Sequence, residues 1–169
     1  MSNMSITPER SEKAYFAGPY MMTGKSILTR SSVLAQVEST GAINRADLKI
    51  AAIANSTSAT FAQENTPEAE LTTTATSDEA VALLIAGKVD AVLADMAVCK
   101  LAVLRNPESG LVTLKKPLTM EPVGIAIKAD DRQLQNLIDN FMDAFGKTGV
   151  LGQLRKKWFE NGDWVAALP

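Results

Sequence analysis

Residues 70–95, ELTTTATSDEAVALLIAGKVDAVLAD, constrain the fold more than any other part of the chain. ELTTTA is rich in β-branched threonine, which suits an extended strand. Thr76 and Glu79 have the T-x-x-E spacing of a capping box, the signature of a helix start. Val81, Leu84 and Ile85 then fall on one helical face, and Gly87 is a natural helix stop. VDAVLAD follows as a second short apolar strand. Strand, helix, strand in so short a span is a βαβ unit, so the sheet is mostly parallel and the fold class α/β.

Other segments fit that frame. LKIAAIANS is a continuous apolar run of strand length, as expected of a parallel strand buried on both faces. It ends in polar NSTS, and ATFAQEN after it has helical composition. SILT, GLVTLKKPL and VGIAIKAD are further strand candidates, and residues 31–47 read as loop or short helix. Gly18-Pro19 punctuates the segment before them, the proline restricting Gly18 to extended or turn geometry. In the tail, Leu134, Leu137, Ile138, Phe141, Met142 and Phe145 form one wide apolar helical stripe. Gly146 and Gly149 are expected to break it before a second helix carrying Val150, Leu151, Leu154 and Trp158.

Composition excludes several functions. The chain of 169 residues has a net charge of −2 and no histidine. A nucleic-acid surface needs a basic excess that is lacking here, and histidine is removed from any catalytic or metal role. The single cysteine, Cys99, cannot form an internal disulfide and reads as a small buried apolar residue rather than a reactive thiol. No run reaches the roughly 20 apolar residues of a membrane-spanning helix. Nothing in the pattern calls for a metal or a cofactor.

Three places can carry ligand chemistry. Arg10, with Ser5 and Thr7 nearby, offers a planar fork of donors that fits a carboxylate; the plainer account is a surface arginine after a turn. NSTSATF, residues 55–61, lies between an apolar strand and a helix, where α/β sheets bind ligands. Free N–H groups and a favourable dipole face an anion there, and simple capping by Ser56 or Thr57 is compatible with that role. Asp95, at the end of VDAVLAD, can accept hydrogen bonds from a ligand ammonium or can serve a turn or helix cap. Asp90, in the same strand, fits the turn at Gly87 and Lys88 better. Together the three complement the two charged groups of an α-amino acid, with no obvious nucleophile or general base.

These residues carry a resemblance. MSITPERSEKAYFAGPY resembles the S-x-T-x-x-R and Pro-Tyr hinge element of the amino-acid-binding proteins of ABC importers, the family-3 extracellular solute-binding proteins. NSTSATF resembles their G-[ST]-[ST] ligand loop, LLIAGKVDAVLAD their L-x-x-G-x-x-D-A-x-x-x-D unit, and residues 122–159 their closing segment, all in the same order. The resemblance implies a type 2 periplasmic-binding fold of two α/β lobes joined by hinge strands and closing on a ligand. Residues 1–21 would end the first lobe and carry the first hinge strand. Residues 22–121 would form the second lobe, and residues 122–169 the second hinge strand and the first lobe's C-terminal helices.

By the same resemblance Arg10 and Ser5 hold the ligand α-carboxylate from one lobe, Ser56 and Thr57 hold it from the other, Asp95 takes the α-ammonium, and Ile53 and Ser58 line the pocket. Asn55 stands where the family has glycine, a position asparagine tolerates because it enters left-handed geometry. Family members carry about a third of the protein before this point, so the chain is expected to be a fragment of a periplasmic parent. That parent would bind a small amino acid and deliver it to a membrane permease. An enzyme of the same fold, a cyclohexadienyl dehydratase acting on arogenate or prephenate, and a ligand-binding sensor module are the alternatives. The uncovered tail helices imply a homodimer.

Overall fold

The computed structural model describes residues 4–160 and Trp164. Residues 1–3 and the last residues of the predicted C-terminal segment, 161–163 and 165–169, lie outside the described residues. In chain order the elements are β1 (Met4–Ser5), α1 (Pro8–Ser11), β2 (Tyr15–Thr23), β3 (Lys25–Thr29), β4 (Lys49–Ile53), α2 (Thr57–Asn65) and β5 (Glu70–Thr74). They continue as α3 (Ser77–Ile85), β6 (Ala91–Asp95), α4 (Met96–Arg105), β7 (Val112–Thr113), β8 (Glu121–Ile127), α5 (Arg132–Lys147) and α6 (Val150–Arg155). Two single 3₁₀ turns, Leu34–Gln36 and Thr40–Ala42, occupy the segment expected to be loop or short helix. The chain divides into two compact units: residues 24–120, and residues 1–23 with 121–169.

The unit of residues 24–120 is an α/β sandwich around a five-stranded mixed sheet of order β5-β4-β6-β3-β7. β4 runs parallel to both β5 and β6, while β3 pairs antiparallel with β6 and with β7. The apolar run of β4 is explained by this place, since a strand flanked by parallel neighbours is covered on both faces. Alternation along the strands sorts the core into two layers. Leu28, Ala51, Val92 and Ala94 face one layer with Val81, Leu84 and Cys99. Ile27, Ile50, Ala91 and Leu93 face the other with Leu34, Ile43 and Met96.

The predicted capping box forms with one change. Thr76 Oγ1 accepts the Glu79 N–H at 3.2 Å, and Glu79 Oε2 reaches back to the Ala75 N–H at 3.0 Å rather than to that of Thr76. The buried face of α3 is Ala80, Val81 and Leu84, whereas Ile85 is exposed. As the last residue of the helix it lies beyond the packed stretch. The predicted strand within residues 110–118 shortens to the two residues of β7, which pair only with the end of β3.

The other unit holds a three-stranded antiparallel sheet, β1-β8-β2, with α5 packed on β2. The pairing of β2 shifts register between Ala17 and Met21, around Gly18 at φ +122°. A Cβ at Gly18 would lie 2.9 Å from the Tyr20 nitrogen, so the irregularity needs glycine. Arg155 Nε donates to the Tyr20 carbonyl at 3.0 Å and ties the end of α6 to β2. Gly146 does not break the tail helix: α5 runs through it to Lys147. A single glycine costs a helix only about 1 kcal/mol, and the stop comes instead from Gly149 at φ +76°. The amphipathic stripe of α5 is present, yet none of its residues is buried.

Candidate functional site

In the unit of residues 1–23 with 121–169, Thr7 caps α1 by accepting the Arg10 N–H at 3.3 Å, and Pro8 takes the first turn, where its missing N–H is harmless. That turn brings Arg10 back over β1, and its Nη1 donates to the Ser5 carbonyl at 2.9 Å. Ser5 is 2% exposed, and its hydroxyl donates to Glu121 Oε2 at 2.9 Å. Ser5 thus fixes Arg10 through its carbonyl while its hydroxyl proton serves the first residue of β8. The structure brings Ser5 and Arg10 together.

In the unit of residues 24–120, β4 ends at Ile53, and Asn55 turns the chain at φ +58°, the left-handed region in which asparagine is tolerated. Ser56 is the N-cap of α2: its Oγ accepts the Ala59 N–H at 3.2 Å and donates to the Ile53 carbonyl at 2.6 Å. Thr57 is the first residue of the helix, and Ser58 behind it is buried. Asp95 closes β6 and stands at the N-terminus of α4 without a side-chain capping bond. Asp90, at the other end of β6, binds the Lys49 N–H through Oδ2 at 2.8 Å, and so ties β4 and β6 together away from Asp95.

Thr57 and Asp95 are joined by a residue that sequence reasoning missed. Lys25 opens β3 and is the direct antiparallel partner of Asp95, so the two side chains share one face of the sheet. The Lys25 side chain is 1% exposed and that of Asp95 11%. Lys25 Nζ donates to Asp95 Oδ1 and to Thr57 Oγ1, each at 2.6 Å. Gly24, just before it, has no room for a side chain: a Cβ there would lie 1.8 Å from the Thr119 carbonyl oxygen. The Lys25 backbone is held on both sides, its N–H by Thr119 Oγ1 at 2.8 Å and its carbonyl by the Leu118 N–H at 2.6 Å.

This cluster sits at the carboxyl ends of the parallel strands β4 and β6, beside the N-terminus of α2, the place where open α/β sheets hold ligands. It seats one ammonium against a carboxylate and a hydroxyl. Cys99 lies in the core behind it, where burial pushes the thiol up to about 12. Among the described residues no group of histidine, cysteine or carboxylate side chains could hold a metal ion, and no helix is long and apolar enough to cross a membrane.

The α/β fold with its mixed sheet and strand-end polar cluster is that of the type 2 periplasmic binding proteins. The chain belongs to the bacterial extracellular solute-binding proteins, family 3, whose model matches residues 1–161. It is 29% identical to the ABC transporter glutamine-binding protein of Bacillus subtilis over 95% of the chain and 57% of the relative. It is 24% identical to the cyclohexadienyl dehydratase of Pseudomonas aeruginosa over 95% of the chain and 59% of that enzyme. The chain therefore spans less than two thirds of the length of these relatives. A solved structure of a putative ABC transporter binding component from Wolinella succinogenes, complexed with lysine, superposes with a TM-score of 0.86 at 28% identity, covering 97% of the chain and 70% of that protein. The family thus includes transport proteins, and the same fold serves an enzyme.

Proposed function

We propose that the chain belongs to the substrate-binding component of an amino-acid ABC importer and takes a small α-amino acid. Arg10 grips the ligand α-carboxylate, with Ser5 setting its position. Ser56 and Thr57 hold the same carboxylate from the N-terminus of α2, Asp95 takes the α-ammonium, and Ile53 and Ser58 line the pocket. Residues 1–21 and 122–169 serve as one lobe with the hinge strands and residues 22–121 as the other. The ligand favours the closed state and is handed to a membrane permease. The setting is the periplasm.

One observation carries the reading: Asp95 and Thr57 already hold an ammonium, that of Lys25, at 2.6 Å from each oxygen. The reading is of binding, since the cluster seats an ammonium against a carboxylate and a hydroxyl. The test is an NMR titration of the ¹⁵N-labelled chain with the proteinogenic L-amino acids, together with incubation with arogenate and prephenate. Saturable shifts with one or a few amino acids, at residues around Arg10, Thr57 and Asp95, are expected. Turnover of arogenate or prephenate would establish the dehydratase in its place.

A further inference from the structure

Lys25 sits where the proposed ligand needs its own ammonium to be. Its side chain is sealed from solvent, whereas the Asp95 side chain keeps 11% exposure, so the carboxylate is reached by lysine from within and by solvent from without. The main chain at this point is immobilised: the Gly24 carbonyl accepts the Met96 N–H at 2.9 Å, and both backbone groups of Lys25 are bonded. What can move is the four-carbon stem. Lysine carries a compact charge with rotatable donors on a flexible four-carbon stem, so its ammonium can leave a partner while the backbone stays fixed.

We propose that Lys25 is the specificity-determining residue of this cluster: its ammonium is a built-in competitor for Asp95, and an amino acid binds by displacing it. The inference rests on the proposed amino-acid reading and deepens it. Two ammonium groups on one carboxylate repel each other in a poorly screened setting. A lysine removed from its only partly wet carboxylate has lost the contact that made its burial tolerable. Displacement therefore lowers the apparent affinity for any ligand bearing an α-ammonium, as does any step that must precede binding. A 2-oxo acid of the same skeleton has no ammonium and leaves Lys25 in its seat. The wild-type chain consequently discriminates weakly between an amino acid and its 2-oxo acid, and uncharged replacement of Lys25 restores the discrimination. Glutamine serves as that replacement because it keeps hydrogen-bonding atoms near Thr57 while removing the charge.

The experiment compares dissociation constants, by NMR titration, of wild type and Lys25→Gln for the L-amino acid that binds best and for its 2-oxo acid. The ratio is insensitive to the fraction of folded protein. The expected result is a gain of about tenfold or more in the amino acid's affinity relative to the 2-oxo acid. A second measurement needs no variant: in the wild type labelled with ¹³C-lysine, the Lys25 side-chain resonances move on addition of the amino acid and hold on addition of the 2-oxo acid. An unmoved ratio overturns the inference while the amino-acid reading stands. So does a selective loss of amino-acid binding in Lys25→Gln, which would make Lys25 a support for Asp95 rather than its competitor. Absence of binding by every amino acid in both proteins overturns the amino-acid reading and this inference with it.

Discussion

Cys99, on the sheet-facing side of α4, is 1% exposed, and burial pushes its thiol from the ordinary 9.0 up to about 12 by penalising the thiolate. Between those values the unfolded chain releases a proton that the folded chain keeps. Its contribution is therefore neutral below pH 9.0, and stability falls as pH rises from 9.0 toward 12. Tyr15, bonded to Asp139, and the partly buried Tyr20 are also shifted upward and act in the same direction. Urea midpoints should decline across that range, and Cys99→Ala should decline less steeply than wild type. A thiol reagent should leave native Cys99 unmodified at neutral pH and label it in urea; rapid native labelling would contradict the burial. The inert thiol was legible in the sequence because MAVCKLAVL is apolar around it. Lys25 was not. A lysine at the start of a strand reads as a solvated end, and only the register of β3 against β6 places it opposite Asp95. Register between strands about 70 positions apart in sequence is a tertiary fact with no local signal.

At the scale of elements, α3 starts where the T-x-x-E spacing put it, because both partners of the capping box are local. Thr76→Ala should cost about 1 kcal/mol in urea denaturation. Gly24→Ala should cost more, about 3 kcal/mol or above, because the loop at Thr119 must give way. A loss from Gly24→Ala no greater than that from Thr76→Ala would contradict the close approach. The βαβ unit, the doubly covered β4 and the amphipathic α5 were readable from periodicity and composition. The shortness of β7 and the passage of α5 through Gly146 were not. Strand length there depends on how much of β3 remains to be paired, and a helix tolerates one glycine when the following residues supply the stop. That Thr7 caps a helix with Pro8 in its first turn, and so returns Arg10 to the Ser5 carbonyl, was not legible in the sequence, where only a turn before Arg10 could be read.

For the whole molecule, the apolar stripe of α5, α6 and the turn Lys156–Glu160, which carries Trp158 beyond the end of α6, has the largest consequence. Leu134, Leu137, Phe141, Phe145, Leu154 and Trp158 are all exposed, and Phe141 and Phe145 meet edge to face at 5.9 Å. Covering each such side chain is worth roughly 1.5–3 kcal/mol, and two-fold pairing is the commonest way for a chain to cover its own surface. For the 169-residue chain taken by itself we propose a homodimer through this face. Light scattering should return a dimer mass, and Phe141→Ser with Phe145→Ser should shift it to monomer or aggregate; a wild-type monomer at micromolar concentration would remove the proposal. The central claim concerns the ligand, and Arg10 tests it more cleanly than Asp95, whose removal would strand the buried Lys25. The decisive measurement is the affinity of the protein and of Arg10→Ala for the best-bound L-amino acid, each by titration under the same conditions. Losing one partner of a charged contact that the bound ligand buries costs about 2–5 kcal/mol, so the variant should bind more than tenfold more weakly with its fold intact by circular dichroism; equal affinity in the two proteins would contradict the account.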